Sequence, residues 1–600
     1  RLCNMGVRLA LSLLLALVAA CHAFSPSLPF LQSSRLPAAS RRLSSPLSRV
    51  SMVASRPRDE AAEASKVFDG EGNALELPSL CDIDATEEIE YLEQILKAKV
   101  YDICLETPLQ HMSRLSERIG NKILCKREDM QPVFSFKLRG AYNMIASLSK
   151  EELDKGIITA SAGNHAQGVA MSAKHLGCKA IIAMPTVTPD IKVSSVRRLG
   201  ADVRLVGDTF DETSAYAKSE SEKGGLKYIP PFDHPLVIAG QGTIGMELLR
   251  QDSKIETVFI PVGGGGLIAG IGIYIKRLRP DIKIVGVEPK GANALFRSLR
   301  EGQRVTLDKV DTFADGVAVK IVGEETFRLC QRVVDDVVLV DTDEICSAIK
   351  DIFEDTRSIT EPSGALGVAG AKKYCAMHGL EGTTSVAIAS GANMNFDRLR
   401  FVAERSGTGT KSEAMLATFI PEQRGSFREF VYALSDAGIQ RGVAKRSITE
   451  FKYRYNPTAS RNNDNKATVF YSVDTESSED AVRLVEELQE AGLETFDLTK
   501  NDLSKDHVRF LAGGHAEVQG EKIYRVEFPE KAGSLRMFLD AIGDDYNISL
   551  FHYRSAGSFT GQVLIGVDGG KKDGAFEKAV GELGWSFLDE TDNIAAQLFL

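Results

Sequence analysis

The sequence predicts an α/β fold: mostly parallel sheets with helices on both faces, followed by a pair of small α+β modules. Two observations predict it. From about Cys81 to Glu404, short apolar runs alternate with amphipathic stretches, the pattern of a parallel sheet covered on both sides. Beyond that region a strand-loop-helix-strand unit occurs twice. The 600 residues exceed what one ordinary core accommodates, so several domains are expected.

The N-terminal segment is a different material. No Asp or Glu precedes Asp59, and "LALSLLLALVAACHA" (Leu9 to Ala23) follows arginines and ends in small residues. This is a signal-peptide pattern, too short for a comfortable membrane span. Residues 24–58 are rich in Ser, Arg and Pro without an acid, like a transit peptide. The tandem resembles the bipartite presequence of algae with secondary plastids, with "AFSP" at the junction similar to their cleavage motif and Met5 as the expected start. A plastid stroma is the expected location. A disordered tail or simple secretion are the alternatives.

In the body, "GIITA", "KAIIAMP", "DVRLV", "TVFIPV", "IKIVGVEP" and "SVAIAS" read as strands. Ligands of such folds bind beyond the carboxyl ends of the strands. "RSGTGTKSE" (Arg405 to Glu413) has the composition of a flexible linker. After it, "PEQRGSFREFVYAL" from Pro421 and "ITEFKYRY" from Ile448 are matched in order by "PEKAGSLRMFLDAI" from Pro529 and "ISLFHYRS" from Ile548.

Charge and cysteine usage narrow the function. A net charge of -10 argues against a nucleic-acid partner, which needs a basic face. Nine scattered cysteines fit a reducing compartment and show no zinc-type pairing.

Four segments can carry chemistry. "VFIPVGGGGLIAGIGIYIKRL" is a strand, then Gly263, Gly264, Gly265 and Gly266, then a helix. Bare backbone and a helix N-terminus suit a phosphate. The run is no Walker A loop, because no Lys-Ser/Thr follows. It also fits a dinucleotide fingerprint through Gly264, Gly266 and Ala269, with Glu288 about 20 residues on as the ribose acid; a ligand-free turn is a third reading. "TASAGNHAQGVA" (Thr159 to Ala170) joins a strand to a helix through Ser161, Ala162, Gly163 and Asn164, suited to a carboxylate or to plain capping. "AIASGANMNFDRL" ends a strand at Ser390 and is expected to open a helix with Gly391 and Asn393, a simple cap being the bland alternative. Finally, Lys137 in "VFSFKLRGAY" lies among Phe134, Phe136 and Leu138. Apolar surroundings disfavour the ammonium and prepare a lysine to react with an aldehyde; a surface lysine opening a helix is the bland alternative.

"SFKLRGA", "SAGNHAQG", "PVGGGGL", "EPSGA" and "SGAN", in this order, resemble the pyridoxal phosphate enzymes of the tryptophan-synthase-β fold type, a two-lobed architecture also called fold type II. Within that group the chain closely resembles the threonine dehydratases (threonine deaminases). The biosynthetic members carry paired C-terminal ACT-like regulatory modules, which matches the repeat. The resemblance implies a presequence over 1–58, a pyridoxal 5'-phosphate-dependent catalytic domain over 59–404, a linker over 405–414, and ACT-like modules over 415–510 and 511–600.

It also implies roles. Lys137 matches the lysine that joins the cofactor aldehyde, next to Phe136. Asn164 matches the partner of the ring hydroxyl. Gly263 to Gly266 with Leu267 match the phosphate cradle, and Ser390 the partner of the pyridine nitrogen. Ser161, Ala162, Gly163 and Asn164 would grip the substrate carboxylate. The implied reaction converts L-threonine to 2-oxobutanoate and ammonia, with L-serine as a secondary substrate, isoleucine as inhibitor and valine as its antagonist. A tetramer is implied too. Tyr453, Phe551 and Tyr553, from the matched strands, are candidate effector contacts.

Rival readings are a serine dehydratase or racemase of the same fold, a nicotinamide-dependent oxidoreductase resting on the glycine run and Glu288, and a non-catalytic amino-acid-binding protein. Racemases of this type bind a divalent metal. Glu247 lies in a similar "GQGTIGMELL" context, but no later acidic ligand is evident, and no metal is expected.

Overall fold

The computed structural model describes residues 66–68, 74–76, 85–409 and, with interruptions, 413–600. The segment 1–58, expected to be a presequence, lies outside the described residues. Strands β1 (Lys66–Phe68) and β2 (Ala74–Glu76) form a short antiparallel ribbon. The body then contains β3 (Leu109–His111), β4 (Lys122–Arg127), β5 (Ile157–Ala160), β6 (Ala180–Met184), β7 (Asp202–Leu205), β8 (Lys227–Tyr228), β9 (Thr257–Pro261), β10 (Lys283–Pro289), β11 (Asp336–Val340) and β12 (Thr384–Ala389).

These strands make two sheets, in the orders β11-β10-β9-β12-β4-β3 and β7-β6-β5-β8. All pairings are parallel except β3 on β4. Every residue of β9, β11 and β12 is buried. This is why these strands read as continuous apolar runs: helices cover both faces, and no strand face is left for water. The chemistry-bearing turns leave the carboxyl ends of three strands. β5 leads to the helix Asn164–Leu176, β9 to the tetraglycine and the helix Gly266–Leu278, and β12 to Ser390.

A second pair of sheets follows. The first has β13 (Glu413–Pro421), β14 (Ile448–Lys452), β15 (Lys466–Asp474) and β16 (Thr495–Asp497) in the order β14-β15-β13-β16. The second has β17 (Lys522–Pro529), β18 (Ile548–Arg554), β19 (Thr560–Val567) and β20 (Phe587–Asp589) in the order β18-β19-β17-β20. Both are antiparallel, with two helices each between corresponding strands. Met415, Phe470, Ile523 and Leu564 belong to one core that the two sheets share.

The expected flexible linker, 405–414, is corrected at its start. The helix Arg398–Gly409 runs through it, and β13 begins at Glu413. Composition misled here because Arg405 is fixed by tertiary charge. Its guanidinium bonds Asp343 at 3.0 Å, Asp502 at 3.3 Å and Asp506 at 2.6 Å. Lys505 adds a further bond to Asp343 at 2.5 Å. The body and the C-terminal modules are thus joined by buried ion pairs, whose geometry a soft linker could not hold.

Candidate active site

One cavity collects the residues selected for the cofactor; Ser161, Ala162 and Gly163, selected for the substrate carboxylate, are not among its lining. It is lined by Phe136, Lys137, Asn164, the glycines 263–266, Leu267 and Ser390, with Phe232, Gly316, Val317, Glu361 and Ser363 completing the wall.

Lys137 opens the helix Lys137–Ile145. Its Nζ donates to the Pro231 carbonyl at 2.9 Å and makes no ion pair among the described residues. The ring centroids of Phe136 and Phe232 lie 5.3 and 6.0 Å away. Burial lowers its pKa to about 8, and the charge of Glu361 opposes the shift. Phe134, expected to share in this lining, is 57 % exposed. Its positive φ of 56° turns it away from the helix that carries the lysine, and Phe232 takes its place.

The tetraglycine is packed too closely for side chains. A Cβ on Gly264 would stand 2.3 Å from the Phe232 ring, one on Gly263 3.0 Å from the Val317 Cα, and one on Gly266 3.0 Å from the Phe232 carbonyl oxygen. Gly265 has a φ of +94°, which favours glycine outright. What remains is bare backbone at the start of a helix, a place for an anion.

Ser390 is tied to the lysine segment. Its carbonyl accepts from the Phe136 N–H at 3.1 Å, and Gly391 bridges to Ser135. Its Oγ donates to the Ser363 carbonyl at 3.3 Å. The buried Ser363 hydroxyl has no partner and borders the cavity. Asn164 Nδ2 donates to Glu361 Oε1 at 2.6 Å, and Asn164 Oδ1 accepts from Asn393 Nδ2 at 2.7 Å. Ser161, Ala162 and Gly163 precede Asn164 on the same turn, where the Gly163 N–H donates to Ser161 Oγ at 3.3 Å. His165 is buried with its Nε2 3.0 Å from the Ile229 carbonyl. Burial first, then the charge of Lys137, lowers its pKa to about 3, so it stays neutral.

Two acids weighed for other ligands are occupied. Glu288 accepts from the backbone N–H groups of Leu295 at 2.9 Å and Phe296 at 2.8 Å. It therefore serves the start of the helix Ala294–Glu301, which removes the ribose acid from the dinucleotide reading. Glu247 is held by Lys126 at 2.6 Å and Arg139 at 2.6 Å, with Tyr101 donating at 2.8 Å. Of the effector candidates, Phe551 is half-exposed on β18. Tyr453 and the side chain of Tyr553 lie outside the described residues. Sequence reading missed Phe232, Val317 and the parts played by Asn393 and Glu361; the helix expected to open at Gly391 and Asn393 begins instead at Arg398, and for Glu361 the "EPSGA" string was a usable signal.

A desolvated lysine, a bare-backbone anion cradle and an unpartnered buried hydroxyl in one cavity fit pyridoxal phosphate. Fold and cavity define a pyridoxal-phosphate-dependent enzyme, and residues 100–391 match the family described as "Pyridoxal-phosphate dependent enzyme". Residues 404–508 and 512–600 match the "C-terminal regulatory domain of Threonine dehydratase". The chain is 55% identical over 513 residues to "Threonine dehydratase 1 biosynthetic, chloroplastic" of Solanum lycopersicum, covering 85% of this chain and 82% of that one. It is 51% identical over 514 residues to "L-threonine dehydratase biosynthetic IlvA" of Pasteurella multocida, covering 85% and 97%. Among solved structures it is similar to the processed form of threonine deaminase isoform 2 from Solanum lycopersicum, with a TM-score of 0.55, 55% identity and coverage of 57% of this chain and 99% of that one. Maize serine racemase is similar at a TM-score of 0.50 and 33% identity, covering 52% and 96%. The chain belongs to the biosynthetic threonine dehydratase family.

Proposed function

We propose that this chain is an L-threonine ammonia-lyase that converts L-threonine to 2-oxobutanoate and ammonia, the first committed step toward isoleucine. The observation that carries the reading is Lys137: a buried amine with one carbonyl and two aromatic rings for company, facing the tetraglycine across one cavity. Pyridoxal phosphate, when bound, supplies the electron sink that makes the substrate Cα acidic. The remaining work falls to the chain.

Lys137 would hold the cofactor aldehyde through its Nζ, and its amine, lowered by burial to a pKa of about 8, is neutral often enough to serve as the base for the Cα proton. Gly263 to Gly266, with Leu267, seat the phosphate. Asn164 orients the ring through its hydroxyl, and Ser161 to Gly163 hold the substrate carboxylate. Ser390 would offer the ring nitrogen a neutral hydroxyl. A hydroxyl does not keep that nitrogen protonated as a carboxylate would, which favours expelling the β-hydroxyl over side reactions. Water lost from the substrate is regained when the product hydrolyses, so the net change is threonine to 2-oxobutanoate plus ammonia.

The modules over 415–510 and 511–600 are the sensor for isoleucine, with valine as antagonist. Their two conformational states must differ in affinity for the effector. L-Serine is a secondary substrate, because one methyl group gives only about 1–3 kcal/mol of discrimination. The enzyme is a homo-tetramer of the plastid stroma, delivered by the segment 1–58 in an alga with a secondary plastid.

The test is to mix purified protein with threonine, with and without isoleucine, and to follow 2-oxobutanoate. Formation suppressed by isoleucine is expected; absence of product would end the reading. Trp585 reports on the sensor. It lies 4.8 Å from the Phe528 ring and stacks on Phe538 in the second module, so isoleucine should change its fluorescence. Unaltered emission together with unaltered kinetics would leave the modules a purely structural role.

A further inference from the structure

Asn164 carries an amide whose two ends look alike in shape and differ in chemistry. Which end faces the cavity decides whether it donates or accepts there. The surrounding bonds fix the answer. Asn393 Nδ2 has two hydrogens; one goes to the Val133 carbonyl at 2.8 Å and the other to Asn164 Oδ1 at 2.7 Å. The Asn164 oxygen therefore faces Asn393. Its Nδ2 gives one hydrogen to Glu361 Oε1 at 2.6 Å and keeps the second for the cavity that both residues line.

Glu361 cannot drift from this post. It precedes the helix Pro362–His378 as its capping residue, and it is almost fully buried. A Cβ on Gly391 would lie 2.5 Å from its Oε1, so the backbone of the serine loop is pressed against the carboxyl. The charged groups that act on it are Asp315, from a 3-10 turn, Lys192 and Arg398, from two helices, and Lys137 across the cavity.

We propose that Glu361 is a positioning residue: with Asn393 it locks the Asn164 amide as a hydrogen-bond donor to the ring hydroxyl oxygen of the cofactor. The inference rests on the pyridoxal phosphate reading of this cavity. Burial, then the charge of Asp315, raises the Glu361 pKa to about 7, while its bond from Asn164 opposes the shift. The acceptor thus gains strength as pH rises through neutrality, because a carboxylate accepts more strongly than a protonated acid.

The test uses substrate-free holoenzyme and reads the cofactor absorbance and the cofactor affinity. Glu361→Ala removes the acceptor. It should shift the absorbance maximum and weaken cofactor binding about tenfold, the size of one lost charge-assisted hydrogen bond. Glu361→Gln keeps an acceptor without the charge. It should restore the maximum and most of the affinity, but lose the step near pH 7 in the spectral titration. Asn393→Asp presents an acceptor to the Asn164 oxygen, forces the amide to turn over, and should shift the maximum even with Glu361 intact. If Glu361→Ala does not fold, the Gln and Asp variants decide. A maximum and pH titration unchanged across the folded variants would overturn the proposal. A parent protein without any lysine-linked cofactor absorbance would instead overturn the reading on which it rests.

Discussion

Two lysines of this body, Lys126 fully buried and Lys137 half-buried in its cavity, have opposite surroundings. Lys126 Nζ donates to Glu247 at 2.6 Å, the Thr107 carbonyl at 2.7 Å and Gln251 at 3.0 Å. Arg139 joins the same cluster, bonding Glu247 at 2.6 Å and Glu128 at 2.7 Å. Two cations and two anions balance there. Lys137 has one carbonyl and two aromatic faces. Burial lowers the pKa of both amines, but Glu247 and Glu128 offset the shift at Lys126. Burial alone therefore does not make a reactive lysine. Reactivity needs burial without a directly paired counter-charge: Glu361 opposes the shift at Lys137 but forms no ion pair with it, so the neutral amine becomes the less costly form.

The largest test of this contrast is on activity. Lys137→Ala should abolish the yellow absorbance near ~410 nm and lower turnover by about 10^3-fold or more, while the protein remains folded. Retention of both signals would place the reactive amine elsewhere.

Next comes the balanced cluster. Arg139→Met leaves two buried carboxylates short of a cation, and should cost about 3–5 kcal/mol of stability, seen as a lower urea midpoint. A midpoint unchanged from the parent would show that the cluster is not charged as described.

The pH dependence of stability sharpens the comparison in cofactor-free protein. Lys137 is protonated in the unfolded chain up to its ordinary pKa of 10.5 and in the folded chain only up to about 8. Between these values the unfolded state binds more protons, so stability should rise with pH, by about 3 kcal/mol over the window. Lys137→Met should lack this rise, so the stability of the parent minus that of the variant should climb by the same amount over the window. A parent whose stability falls there relative to Lys137→Met would contradict the uncompensated amine.

The smallest effect is at Lys126. Lys126→Met removes one cation while Arg139 still pairs Glu247, so about 1–3 kcal/mol of destabilisation and a cofactor spectrum like the parent's are expected. A shifted spectrum would mean that the two lysines communicate.

Much of the site was legible because its parts are local. The tetraglycine, Asn164, Ser390 and Lys137 each stand where a strand ends or a helix begins, and their neighbours in sequence fix that geometry. Other parts were not legible. Phe134 lies only three residues before Lys137, yet its left-handed backbone sends it outward while Phe136 lines the cavity. Phe232 arrives from a distant loop to meet both the lysine and the glycines. Glu288 has the position of a ribose acid, and only the helix start beside it reveals its use. The glycine- and serine-rich stretch after Arg405 has a linker's composition; three aspartates from remote segments hold its first residue in a helix.

By itself the sequence determined the parallel body, the two later sheets and the turns that bear the chemistry, because periodicity and glycine act over a few residues. Only the tertiary structure decided which carboxylates each buried cation meets, which way the Asn164 amide faces, and which aromatic rings shield Lys137. Those outcomes depend on groups far apart in the chain, and electrostatic energy in a poorly polarisable interior turns on separations of a few ångströms.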